Sequence, residues 1–226
     1  MTLTEHDPDP GAGRTPIPDR LLGAPRSGGM VVPYITLTHR DRTRPVWGTM
    51  HAPTAQRVWR HKLCQICGQP LTDWVAIYLR PVDYRQGMAL EPGMHPDCAH
   101  YSAAACPVLT GRLDRYHPDP DRQLTACGDP DCGCRRWARV TDEPSHRTGA
   151  PAEAWYEAWL PISDYTVVTD HGHPTTPLRT GVDLRNVRLR KLRRIRDAAP
   201  GADTSRDLLA DIIVVRQLFG EPDDPQ

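Results

Sequence analysis

The sequence predicts an α+β fold organised around a small metal-binding module. A Cys-x-x-Cys-Gly turn is followed, about one hairpin length later, by His-x-x-Cys at the start of an Ala-rich segment. Three thiolates and an imidazole in two close pairs are the ligands that a closed tetrahedral zinc site requires. Turn, β-hairpin and helix in this order predict a treble-clef-like module, with a C-terminal strand and helix beyond it. The predicted zinc ligands are Cys64, Cys67, His95 and Cys98.

Two other interpretations of these ligands stay open. A Cys-x-x-Cys pair also suits a redox dithiol, and thiols can lie close together without a metal. Gly68, directly after Cys67, gives the backbone the freedom that a zinc knuckle needs. A redox motif instead begins a helix at its second cysteine, and Pro70 opposes a helix at this position. The sequence therefore favours structural zinc.

The segment between the two ligand pairs predicts a hairpin. Residues 74–79 are apolar, β-branched and aromatic, which is typical of a strand, and residues 83–87 predict a turn before a weak second arm at 88–90. Pro96 suits the first turn of a helix that continues through the Ala-rich residues 99–105. The second ligand pair therefore lies at the start of this helix.

These residues resemble a known group of sequences. Residues 63–71, which read Leu-Cys-Gln-Ile-Cys-Gly-Gln-Pro-Leu, and residues 91–109, which contain His-Pro-Asp-Cys and Ala-Cys-Pro, are similar to uncharacterised small proteins of actinobacteria and their phages. The stretch that begins at Met30 is similar to the start of many of these chains. The match covers about a fifth of the chain. The group has no established activity, so the resemblance implies the metal ligands, with His95 in a position that some relatives give to cysteine.

The composition predicts a thin apolar core. The 226-residue chain has 38% hydrophobic residues with a single Phe, and it contains 24 Pro and 17 Gly. A bound metal would offset such a core. No apolar run has the length of a membrane span and no signal sequence opens the chain, so we expect a soluble cytoplasmic protein with no membrane partner. Seven Cys in that compartment argue for metal binding over disulfides.

Composition also divides the chain into five segments, because pieces rich in Pro and Gly alternate with pieces that carry strand or helix patterns. A translation start at Met1 or at Met30 stays open, and so does the oligomeric state. The segments are 1–28, a disordered tail; 29–111, the zinc-binding treble-clef-like core; 112–152, a loop insertion with cysteines; 153–220, a C-terminal β-strand and α-helix part; and 221–226, an acidic tail.

A second cysteine cluster lies in the insertion. Cys127, Cys132 and Cys134 are separated by glycines and a proline, which let the chain turn so that the three sulfurs converge. Three such ligands make most of a second zinc site, with sulfurs roughly 3.5–4 Å apart. Exposed reduced thiols and a redox-active cysteine are the alternatives. Candidates for the fourth ligand are Cys106, which also suits a small buried hydrophobe, His117 and His146.

Residues 185–196 form the most basic segment of the chain. Alternation at 187–191 favours a strand, although a helical stripe of apolar residues fits as well. The 28 basic and 28 acidic residues cancel, so any nucleic-acid contact would come from a local patch such as this one. The alternative is the solvated face of an ordinary strand, which carboxylate partners would favour. The candidates for phosphate contact are Arg188, Arg190, Arg193 and Arg194.

Two function classes follow from these observations. The first is a zinc-stabilised, non-enzymatic binding or adaptor protein, of phage or prophage origin by its resemblance, that contacts a host protein or nucleic acid. The alternative is a metal-dependent nuclease of the treble-clef, HNH-like type. That enzyme needs His on the arm before the helix, and residues 72–90 contain none. Four protein ligands also leave no position on zinc for water, so we assign no catalytic residue and favour the binding protein.

Overall fold

The computed structural model describes residues 15–117, 127–137, 147–170, 179–204 and 207–219. They form a mixed α+β structure with small antiparallel sheets. The strands are β1 (Arg26–Ser27), β2 (Met30–Val31), β3 (Thr36–Thr38), β4 (Pro45–Met50), β5 (Trp74–Leu79), β6 (Met88–Ala89), β7 (Trp155–Pro161), β8 (Val167–Asp170), β9 (Arg179–Asp183) and β10 (Arg190–Arg196). The α-helices are α1 (Ala52–Arg60), α2 (Pro81–Gln86), α3 (Pro96–Ala105) and α4 (Leu208–Phe219).

The main core lies around the sheet with the order β10-β7-β5. Strand β7 is central and almost wholly buried, because it pairs with β5 on one edge and with β10 on the other. Helix α3 packs against β5, where the Tyr78 hydroxyl donates a hydrogen bond to the Ala99 carbonyl. The sequence predictions of a strand at 74–79, a helix from Pro96 and a strand in the basic segment are confirmed.

Smaller units surround this core. Strands β6, β9 and β8 form a second sheet, while β1–β2 and β3–β4 are two-stranded ribbons. The β3–β4 ribbon leads directly into α1, whose Ala55 and Val58 bury a separate small core with Ile35 and Leu63. The first and last residues of the insertion lie close together, since the Tyr116 amide donates a hydrogen bond to the Ala150 carbonyl at 3.0 Å.

The predicted hairpin between 74–79 and 88–90 is wrong. Strand β5 pairs with β7 along its length, and β6 pairs with β9. The chain between β5 and β6 forms helix α2 instead of a turn, because Pro81 suits the first helical position. The Asp83 carboxylate also caps this helix by accepting a hydrogen bond from the Arg80 amide at 2.8 Å. Sequence pattern revealed the strand and its neighbour, but not their pairing.

The predicted disordered tail is wrong for the part that the structure describes. Residues 1–14 lie outside the described residues, while residues 15–28 contain a short 3₁₀ turn at Asp19–Leu21 and strand β1. Leu21 is fully buried in the main core. The many Pro and Gly residues in this segment led to the prediction of disorder, although the buried side chain of Leu21 anchors the segment to the core.

A buried charge network connects α2 to the segment before β7. The Arg80 side chain is only 3% exposed and binds the fully buried Asp83 carboxylate at 2.8 Å. Its other terminal nitrogen lies 3.0 Å from Glu153. Removing one partner of a buried ion pair leaves a charge without compensation in a medium of low polarity.

We predict that Asp83→Ala lowers the free energy of unfolding by about 3–5 kcal/mol, because it leaves the buried Arg80 without its closest anion. The matched control is Asp197→Ala, which breaks a 3.0 Å pair with Arg194 in which the aspartate is 84% exposed. That exposed pair contributes at most about 1 kcal/mol. Urea denaturation followed by tryptophan fluorescence measures both, and equal losses would contradict the role of the Arg80 network.

Candidate metal centres

The structure brings together all four residues of the first predicted ligand set. One sulfur or nitrogen atom from each lies within 4.8 Å of the corresponding atoms of the others. Cys64 and Cys98 are fully buried, His95 is 4% exposed, and Cys67 is partly exposed. Three sulfurs and one imidazole nitrogen at this spacing are compatible with a tetrahedral zinc site. We call these four residues the first cluster.

A tight knuckle from Leu63 to Pro70 positions the two cysteines of the first pair. Its ends form an antiparallel bridge, and the Gly68 amide donates to the Cys64 carbonyl at 2.8 Å. Gly68 has a φ of +76°, a conformation that glycine adopts without strain. The amide of Gln69 then points at the Cys67 sulfur at 3.5 Å. The turn thus presents two sulfurs to the same point and supports one of them with a backbone donor.

Helix α3 supplies the other pair. His95 is the residue immediately before the helix and Cys98 lies in its first turn. The Nε2 atom of His95 is 3.0 Å from the Pro70 carbonyl, which can only accept a hydrogen bond, so Nε2 carries the proton. The Nδ1 atom is left with a lone pair that can bind a metal, and it lies 3.4 Å from the Cys67 sulfur. The knuckle carbonyl therefore fixes the tautomer whose Nδ1 can act as a ligand.

The electrostatics of the first cluster favour a cation among its sulfurs. Hydrogen bonds from Cys64 and Cys98 hold the pKa of Cys67 well below its usual value. Hydrogen bonds to Cys64 and Cys67 raise the pKa of His95 to about 10. A raised imidazole pKa means that a proton competes with a metal for Nδ1. Metal binding has to displace that proton, which makes the affinity depend on pH.

Arg20 is a neighbour of the first cluster that the sequence did not reveal. Its Nε atom donates to Asp97 in the first turn of α3 at 2.7 Å, and a terminal nitrogen lies 3.3 Å from the Gln69 side chain. The hydrogen bond to Asp97 and the negative charge of Cys98 and Cys67 raise the pKa of Arg20. A zinc ion with three thiolates would carry a net negative charge, which this guanidinium would partly offset. No motif marks Arg20, since it lies in the segment predicted to be a tail.

A second cluster forms from the cysteines of the insertion. The sulfurs of Cys127 and Cys134 are 3.7 Å apart, within the predicted spacing, and the Cys132 sulfur lies 3.8 Å from Nδ1 of His39. The four donor atoms all lie within 4.8 Å of one another. His39, at the end of β3, is therefore the fourth member, which the sequence did not suggest. Of the candidates from sequence, Cys106 instead packs partly buried against the main core, His117 is not in the cluster, and His146 lies outside the described residues.

A cleft of about 340 Å³ lies beside the second cluster. One wall comes from the β3–β4 ribbon and the start of α1, and it includes Arg40 and His51. The other wall comes from the insertion and includes Asp131, Cys132 and Trp137. The two walls are separate in sequence, so the cleft exists only while the insertion lies against the ribbon.

Arginines of the basic strand β10 form ion pairs with carboxylates from other parts of the chain. Arg193 pairs with the buried Glu157 at 2.7 Å. Arg194 lies 3.0 Å from Asp197 and 3.7 Å from Asp207, just before α4. Carboxylate partners were the condition that favours a solvated strand over a phosphate-binding patch. Arg193 and Arg194 meet this condition. Arg190 begins β10 and Arg188 precedes it.

Comparisons with known proteins add no family to these observations. No family model, curated protein or solved structure matches the chain. Among the described residues, none of the helices combines the length and the apolar character needed to cross a membrane.

We predict that Cys64→Ser lowers the metal content by one ion per chain and abolishes cooperative melting of the region around the knuckle, because the fully buried sulfur is one of the four predicted ligands. Cys106→Ser is the matched control, since this cysteine lies outside both clusters, and it should retain the metal. Acid should release the ion because protons compete for thiolates and imidazole. Elemental analysis of both variants across a pH series measures this; equal metal content in the two would contradict it.

We also predict that Gly68→Ala destabilises the protein more than Gly111→Ala. Both glycines have φ near +75°, so both substitutions carry the same backbone cost of about 1–2 kcal/mol. A Cβ at Gly68 would lie 2.7 Å from the Tyr34 ring, whereas a Cβ at Gly111 meets nothing within 4 Å. Overpacking adds about 1–3 kcal/mol at Gly68 alone. Thermal denaturation of the two variants measures the difference, and equal melting temperatures would count against a tightly packed knuckle.

Proposed function

We propose that this chain is a zinc-stabilised, non-enzymatic binding protein that acts as an adaptor for another protein. The observation that carries the proposal is the complete ligand set of the first cluster. Its four donors come from the knuckle and from the start of α3, and three of the four residues are buried. A zinc ion with four protein ligands has no open position for water or substrate, so it serves to hold the two elements together.

The proposed architecture is treble-clef-like, as in the small actinobacterial and phage proteins that the knuckle and helix residues resemble. The knuckle and the helix that begins at the second ligand pair support it. The chain just before His95 also returns along β5, where Ala76 and Met94 exchange two backbone hydrogen bonds at 2.9 and 2.8 Å. This single bridge takes the place of the longer hairpin that the sequence predicted.

The nuclease alternative receives less support. Such an enzyme needs a metal with an open position and a neighbouring base that activates water. The second nitrogen of His95 is occupied by the Pro70 carbonyl. The carboxylate of Asp97, next to the ligands in α3, is paired with Arg20. The groups beside the first cluster therefore orient the ligands and balance their charge.

A protein partner is favoured over nucleic acid. The pairing of Arg193 and Arg194 with carboxylates reduces the positive charge that a phosphate backbone would require. Helix α4 instead exposes large apolar side chains, which are typical of protein contacts when they lie close together. They are Leu208 (43% exposed), Val214 (52%) and Val215 (52%).

The test uses the full-length, zinc-loaded protein in three assays. Immobilised protein should retain a specific partner from a lysate of the encoding organism, and the double variant Val214→Asp, Val215→Asp should lose it. The control Leu22→Asp alters an equally exposed apolar residue in another segment and should keep the partner. Retention that is equal in the two variants would contradict a role for α4.

The second and third assays address nucleic-acid binding and nuclease activity. Fluorescence anisotropy with duplex DNA and single-stranded RNA at low and moderate salt should show no binding that falls steeply with salt. Plasmid DNA should stay intact with Mg²⁺, Mn²⁺ or Zn²⁺. Steep salt dependence that disappears when Arg188, Arg190, Arg193 and Arg194 become Ala would identify nucleic acid as the partner, and metal-dependent cleavage would identify a nuclease.

A further inference from the structure

We infer that the second cluster is a second metal site, in which His39 completes a Cys₃His ligand set for a thiophilic divalent cation such as zinc. This site fastens the 127–137 segment to the β3–β4 ribbon. The inference goes beyond the proposed function, which rests on the first cluster alone. The ligands are His39, Cys127, Cys132 and Cys134.

The distances fit coordination by a single ion. Two zinc-bound sulfurs lie roughly 3.7 Å apart when each bond is about 2.3 Å and the geometry is tetrahedral. The sulfurs of Cys127 and Cys134 are 3.7 Å apart. The Nδ1 atom of His39 lies 3.8 Å from the Cys132 sulfur, so the imidazole faces the sulfurs with a nitrogen and not with a carbon edge.

The backbone around the cluster is arranged as in a metal-binding turn. The Cys127 amide points at the Cys134 sulfur at 3.3 Å. The Asp129 carbonyl accepts a hydrogen bond from the Cys132 amide at 3.2 Å, and the Asp129 carboxylate accepts one from the Asp131 amide at 2.9 Å. These two bonds close the turn between Cys127 and Cys132. A 3₁₀ turn at Gly133–Arg136 then brings Cys134 back to Cys127. The Cys127 amide thus supports one sulfur directly, and the other contacts shape the turn that carries the three cysteines.

A disulfide, a redox dithiol or simple packing would account for fewer of these contacts. A disulfide would use two of the three sulfurs and has a bond of about 2.05 Å, far shorter than the 3.7 Å between Cys127 and Cys134. A redox dithiol gives no role to His39. Apolar packing does not explain why the three sulfurs and the imidazole lie together either. Neither apolar core of the described residues includes a member of the second cluster.

The position of His39 makes this site a long-range cross-link. It lies 93 residues before Cys132. One wall of the cleft lies in the ribbon and α1, next to His39, and the other lies in the segment that contains Cys132. Among the described residues, the other contacts between the segment and the ribbon include exposed ion pairs of Arg40 with Asp131 and Asp129 and an edge contact of the His39 and Trp137 rings. Exposed ion pairs contribute little, so a metal ion would add substantially to this attachment.

The two sites should differ in how readily they release metal. Each cluster has one partly exposed sulfur, but two sulfurs of the first cluster lie within the main core, whereas the second cluster lies outside both cores of the described residues. A chelator therefore reaches the second ion first. Its removal should free the 127–137 segment while the first cluster stays intact.

Metal counting on the full-length protein tests the inference. Protein loaded with Zn²⁺ and freed of excess metal should hold two ions per chain by mass spectrometry of the elements, and Cys132→Ser and His39→Ala should each hold one. His100→Ala, an exposed histidine in α3, is the matched control and should hold two. One ion in wild type that Cys132→Ser retains would overturn the second site and leave the first standing. An unchanged count of two in Cys132→Ser would overturn it as well, and no ion in any protein would overturn both sites.

A second measurement needs no variant. Graded chelation of the wild-type protein should release metal in two steps, with hydrogen exchange rising first at residues 36–50 and 127–137 and only later at the knuckle. Release in one step, or first exposure of the knuckle, would contradict a separate and more labile second site. This readout decides the matter even where a ligand substitution prevents folding.

Discussion

The backbone hydrogen bonds of the knuckle are the interaction on which the other parts of this structure depend. On one side, the amides of Tyr34 and Ile35 donate to the carbonyls of Ile66 and Gln65 at 2.9 and 3.1 Å. On the other, the Gln65 amide donates to Gly93, just before the helix that carries the second ligand pair. These contacts use backbone groups that would otherwise be buried without partners. The eight-residue turn therefore connects the chain just before β3 to the chain just before α3.

Polar and metal-binding contacts have a large share in this fold because the apolar core is small. The chain has a single Phe, and its hydrophobic fraction is 38%. Buried charges such as Arg80 and Glu157 occupy positions that a larger core would give to apolar side chains. Each of them is paired, which limits the cost of its burial. Such a network specifies the arrangement of the elements as well as stabilising it.

The sequence predicted what depends on neighbouring residues. The first ligand set, strand β5 and helix α3 follow from local spacing, from the β-branched and aromatic run and from the helix-starting Pro96. Strand partners were not predictable, because nothing within 74–90 indicates that β7, some eighty residues away, covers β5. His39 and Leu21 were missed for the same reason: each acts across a long sequence separation and lies in a segment whose local composition indicates only a ribbon or a tail.

The cleft between the ribbon and the insertion has a thermodynamic consequence. Its two walls are joined through the second cluster, so an occupant that touches both walls and a cation among the sulfurs stabilise the same closed arrangement. Linkage requires their effects to be reciprocal: the cation strengthens binding of the occupant by the same factor by which the occupant strengthens retention of the cation. The fraction of molecules with an occupied cleft would then depend on the concentrations of both the cation and the occupant, and it would be highest when both are present.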